Sequence, residues 1–112
     1  MFYELKIKDM AYKCRLDARA SVELEKDLGK NPLQLFVGIG EGSLPRLEDL
    51  IKVLQYAIKK EHKDVDAYDV YDAYCEDGHS FDEFILVITD IFQKSGFIKV
   101  EDNSKSKAKS KN

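Results

Sequence analysis

Residues 44–60, LPRLEDLIKVLQYAIKK, form the longest regular amphipathic run in the chain. Leu47, Leu50, Ile51, Leu54, Ala57 and Ile58 recur at the i, i+3, i+4, i+7 spacing of a helix buried along one stripe. Pro45 suits the first turn of such a helix, Glu48 and Asp49 suit its positive end, and Lys59, Lys60 and His62 suit its negative end. No other apolar segment is long enough and regular enough to act as a scaffold alone. The rest of the chain must therefore pack around this helix, with its stripe facing an N-terminal hairpin and a helix at 80–95.

The remaining patterns supply those neighbours. Tyr3, Leu5 and Ile7 alternate with Glu4, Lys6 and Lys8, and Tyr12, Cys14 and Leu16 alternate with Lys13 and Arg15. Two alternating runs with a break at Asp9-Met10 predict a β-hairpin, although the break lacks the Gly that a tight turn favours. A lone hairpin is marginal in water, so its apolar face must lie on helices. Asp17 caps a predicted helix through Leu28, with Ala20, Leu24 and Leu28 as a narrow stripe flanked by Val22 and Gly29 as its stop. Asn31-Pro32 opens a short helical piece that ends at Gly38, and residues 38–43, GIGEGS, read as a flexible connector. A third helix runs from Asp66 to Glu76, with Val65 poised to staple onto Val70. Ser80 and Glu83 make a capping box for a fourth, whose stripe is Phe81, Phe84, Ile85, Ile88, Ile91 and Phe92, widened by Leu86 and Val87. Phe97 to Val100 reads as a short final strand, and residues 101–112 as a disordered, polar, Lys-rich tail. The expected fold is α+β and mainly helical: four to five helices with an N-terminal β-hairpin packed on them, in one domain over 1–100.

Composition narrows the function. The net charge of −3 hides a body at −5 and a tail, from Glu101 on, at +2. An acidic body argues against nucleic acid, which needs clustered Lys and Arg. No apolar run approaches the ~20 residues of a membrane span, and charges at Glu4, Lys6, Lys8 and Asp9 break any signal-peptide core. Cys14 and Cys75 fit a reduced cytoplasmic protein. Gly38, Gly40 and Gly42 are followed by Ser43 where a dinucleotide fingerprint needs Gly, and no Walker lysine is present. Asp64 and Asp66 begin like a calcium loop, but Tyr68, Asp69 and Cys75 stand where an oxygen ligand, Gly and Glu are required. Cys75 and His79 are the only closely spaced metal-ligand pair, with Cys14 and His62 distant, and Gly78 separates them. No nucleophile, base and orienting group form a local signature, so no enzyme and no cofactor are expected.

The tyrosines remain. Tyr68, Tyr71 and Tyr74 stand three apart on one predicted helix, and Tyr56 lies on the long one. Tyr is enriched at protein interfaces because it combines a large ring with a polar end. These three are the candidate partner-binding residues, the plainer alternative being rings that cover the core edge.

Four segments in this order, LEKDLGKNPL, LPRLEDL, DVYDAY and SGF, resemble the small tail assembly chaperones of long-tailed phages and prophages of Gram-positive hosts. The resemblance covers residues 3–98 and includes no catalytic motif. It implies a non-catalytic cytoplasmic protein that binds the helical tape measure protein, keeps it soluble and helps recruit tail tube protein. It also implies a longer product made by ribosomal frameshift. Physically, an amphipathic helix requires a groove with apolar walls between helices. The exposed edge of a hairpin predicts a homo-oligomer. A small acidic adaptor or host-inhibitory module of phage origin is the competing reading.

Overall fold

A computed structural model describes residues 1–39 and 42–98. It is α+β: a hairpin of β1 (Tyr3–Ile7) and β2 (Met10–Cys14), then α1 (Ala18–Leu28), a 3-10 turn (Pro32–Phe36), α2 (Leu47–Ile58), α3 (Ala67–Glu76) and α4 (Phe81–Ser95). The expected tail at 101–112 lies outside the described residues.

The strands pair antiparallel with Tyr3 opposite Cys14 and Ile7 opposite Met10. The turn is therefore Lys8-Asp9, one residue earlier than the expected break, and β2 begins at Met10. Lys8 takes the left-handed conformation, φ 53°, that a glycine would adopt more cheaply. One hairpin face carries Leu5, Ile7 and Cys14, all buried.

Capping follows the sequence closely. Asp17 Oδ1 accepts the Ala20 N–H at 2.9 Å, and Asp66 Oδ1 accepts that of Tyr68 at 2.9 Å. Ser80 and Glu83 form the reciprocal capping box. α2 differs: its N-cap is Arg46, with no side-chain cap bond, and Pro45 lies just before the helix rather than in its first turn. α4 ends in a Schellman motif at Gly96, φ 91°. Phe97 N–H donates to the Phe92 carbonyl at 2.9 Å, and the two rings meet at 5.1 Å. That closure folds Phe97 back onto the helix, so Phe97 and Ile98 form a bend and not the start of the expected strand. Positions 99 and 100 lie outside the described residues.

α2 sits at the centre, touching α1, α3, α4 and β2, while β1 lies on α4. Its burial is correspondingly wider than one stripe. Leu50, Val53, Leu54, Ala57 and Ile58 are closed off almost completely, whereas Leu47, expected inside, is 37% exposed. With neighbours on several sides, Val53 is enclosed although it lies off the predicted stripe. On α4, Val87 joins Phe84, Ile88, Ile91 and Phe92 inside, but Leu86 points out at 63% exposure. Asp49 is nearly buried in the first turn of α2, with Lys30 Nζ 3.7 Å from its carboxylate. Two long-range bonds fasten the hairpin exit: Arg15 N–H to the Ala57 carbonyl at 2.9 Å, and Leu16 N–H to Ser95 Oγ at 2.8 Å. Around the glycine connector, Ser43 N–H donates to the Gly38 carbonyl at 2.8 Å, and a Cβ at Gly38 would meet Ser43 Cβ at 2.7 Å. The flanks of that loop are therefore locked together. No helix among the described residues is long and apolar enough to cross a membrane.

Candidate interaction groove

A concavity of about 620 Å³ opens where α1, α2, the 59–66 connection and the start of α3 meet. Its apolar lining is Ile51 and Val65 with the rings of Tyr56 and Tyr68, and charges of both signs stand around these residues. A second depression of about 310 Å³ shares Tyr56 and Lys59 with it and continues along the α1–α2 seam.

Specific bonds hold the walls. Gln55 on α2 uses both ends of its amide: Nε2 donates to the Val65 carbonyl at 3.0 Å, and Oε1 accepts the Ala67 N–H at 2.8 Å. One side chain thus satisfies an orphan donor at the α3 N-terminus and fixes the connection against α2. Across the groove, Asp27 on α1 meets Lys52 Nζ at 3.1 Å and accepts the Tyr56 hydroxyl at 3.0 Å. Those two partners, Lys52 first, hold the Asp27 carboxyl below the usual carboxylate range. Burial, then the bond to Asp27, raises the Tyr56 phenol.

The three predicted partner-binding tyrosines do not share one open face. Tyr68 is 57% exposed and lines the groove. Tyr71 is half-buried, edge-on to Phe84 at 4.8 Å. Tyr74 is 5% exposed, stacked on His79 at 4.3 Å and tilted against Phe84 at 5.9 Å. Burial pushes its phenol up to about 12. A signal for this was present in the sequence: Ala67, Val70 and Tyr74 follow i, i+3, i+7, and all three are inside. The groove itself joins residues from three separated elements, which local spacing does not bring together.

Other candidates scatter. His62 Nε2 accepts the Lys13 N–H at 3.0 Å, and its ring meets Tyr12 edge-on. His79 lies 3.3 Å from Glu83 and 3.7 Å from Asp77. Cys14 is fully buried and Cys75 exposed. Among the described residues no three His, Cys, Asp or Glu side chains come together as a metal set. What the groove offers is shape, two tyrosines and mixed charge.

No curated protein and no solved structure matches the chain. The sequence does match the family of unknown function DUF6096 over residues 3–112, and the chain belongs to that family.

Proposed function

We propose that this chain is a non-catalytic tail assembly chaperone of a long-tailed phage or prophage, working in the bacterial host cytoplasm. On this reading it holds an amphipathic helix of the tape measure protein in the α1–α2–α3 groove, helps recruit tail tube protein, and acts as a homo-oligomer. The observation that carries the reading is the groove. Ile51, Val65, Tyr56 and Tyr68 offer an apolar floor to the buried face of a helix, and Lys52, Lys59, Lys63, Asp27, Asp64 and Asp66 offer charges to its polar flanks. The order of the LEKDLGKNPL, LPRLEDL, DVYDAY and SGF segments supports it independently. Neither nucleic acid nor a membrane has a part in it.

Co-expression with a tape measure protein encoded beside this gene tests the proposal. The pair should co-purify, and the partner should stay soluble only when this chain is present. Failure of both sinks the reading.

A second reading rests on one observation. Residues 64–93 contain nine Asp or Glu and no Lys or Arg. Asp69, Asp72 and Glu76 of α3 are exposed, and none of them has an ion-pair partner among the described residues. Such a face suits a basic partner, as expected of an acidic adaptor or host-inhibitory module. A gene neighbourhood without tape measure and tail tube genes, together with partner binding that collapses in salt, would favour it.

A further inference from the structure

The outer edge of β2 is occupied at its C-terminal end. Its Lys13 N–H is taken by His62, and the Arg15 N–H just beyond it by the Ala57 carbonyl. Backbone groups in an antiparallel ladder alternate between partner strand and outer edge. Lys13 turns outward and stands opposite Glu4, so Glu4–Lys13 and Lys6–Ala11 are the non-hydrogen-bonded pairs. Glu4 and Lys6 therefore aim their own N–H and C=O groups at the outer edge of β1. Their side chains lie on the solvent face, 49% and 73% exposed and 3.9 Å apart. The buried Leu5 and Ile7 face the helices.

We propose that β1 pairs antiparallel with β1 of a second copy about a twofold axis at Leu5, giving a four-stranded sheet ordered β2-β1-β1-β2. In this register Glu4 of each copy faces Lys6 of the other. Both pairs are hydrogen-bonded pairs, and both set opposite charges across the junction. Moving the axis to Glu4 sets two carboxylates opposite each other, and moving it to Lys6 sets two ammonium groups opposite, so the charge pattern selects one register. The core stays closed throughout, because only edge groups are used. This pairing does not depend on what the groove binds.

Sedimentation equilibrium of the full chain, from micromolar to millimolar concentration, tests it. A reversible monomer–dimer equilibrium is expected. Lys6→Pro removes an edge donor at a position that tolerates proline, and should abolish the dimer while leaving the circular dichroism spectrum intact. Glu4→Lys should weaken the dimer about tenfold, and Glu4→Lys combined with Lys6→Glu should restore it. If Lys6→Pro unfolds the chain, the charge exchange decides alone. A monomer at every concentration overturns the proposal. So does a dimer indifferent to Glu4→Lys.

Discussion

Truncating the three tyrosines of α3 one at a time separates fold from function. Tyr74 is 5% exposed, and its ring lies between His79 and Phe84. Tyr74→Ala removes a buried aromatic and leaves a cavity, which costs about 3–4 kcal/mol. A domain of this size loses roughly 4–8 °C of melting temperature per kcal/mol, so Tyr74→Ala should melt at least about 12 °C below the parent. Tyr71 keeps part of its surface in water and has one ring partner, so Tyr71→Ala should cost about 1–2 kcal/mol. Tyr68 is 57% exposed, and Tyr68→Ala should change stability by no more than about 0.5 kcal/mol. Binding should rank the other way. Tyr68 lines the groove, and losing an interfacial aromatic costs over 1 kcal/mol, so a labelled tape measure helix should bind Tyr68→Ala about tenfold more weakly. Thermal melts by circular dichroism and titration by fluorescence anisotropy measure the two effects. Unchanged affinity in Tyr68→Ala would refute the groove assignment, and a parental melt in Tyr74→Ala would refute the packing.

Two further outcomes follow from the titrating groups. Burial raises the Asp90 carboxyl above its ordinary value of 3.8, against the pull of Lys94. The folded state then holds that proton more tightly than the unfolded state, so stability falls as pH rises through the window just above 3.8 and remains lower at neutrality. Asp90→Asn should therefore melt higher than the parent at pH 7 and level with it below pH 3.8, as scanning calorimetry would read. Cys14 is fully enclosed, and burial pushes its thiol up to about 12, whereas Cys75 is exposed. A thiol reagent at pH 8 should label one cysteine quickly and the other only on unfolding; two fast sites would contradict the position of Cys14.

The elements and their ends were legible because they depend on neighbours in sequence. Asp17, Asp66, Ser80 and Gly29 all cap or stop helices where local chemistry placed them. Local patterns still misplaced the hairpin turn, Pro45 and the segment after Gly96, and the other misplacements arose where the answer depends on distant residues. Periodicity identifies an apolar face but does not count the elements that cover it. Val53 is sealed in because α2 has partners on several sides, and Leu86 is left outside because no described element covers α4 there. Spacing made Tyr68, Tyr71 and Tyr74 a set, yet steps of three advance about 300° around a helix, so the rings spread from solvent to core. The Gln55 amide clamp has no sequence signature, because its partners lie ten and twelve residues away in a connection of no fixed pattern.

The bond from Leu16 to Ser95 spans 79 positions. It sets a timetable for a newborn chain. At roughly 5–20 residues per second, translation delivers Ser95 about 4–16 s after Leu16. Throughout that interval Leu5, Ile7 and Cys14 have no α4 to rest on, and two strands alone do not persist in water. The segment made first is thus completed late: β2 meets α2 once residue 58 is made, but a ribosome that stops before Ser95 releases a chain whose β1 has no finished α4 to dock on.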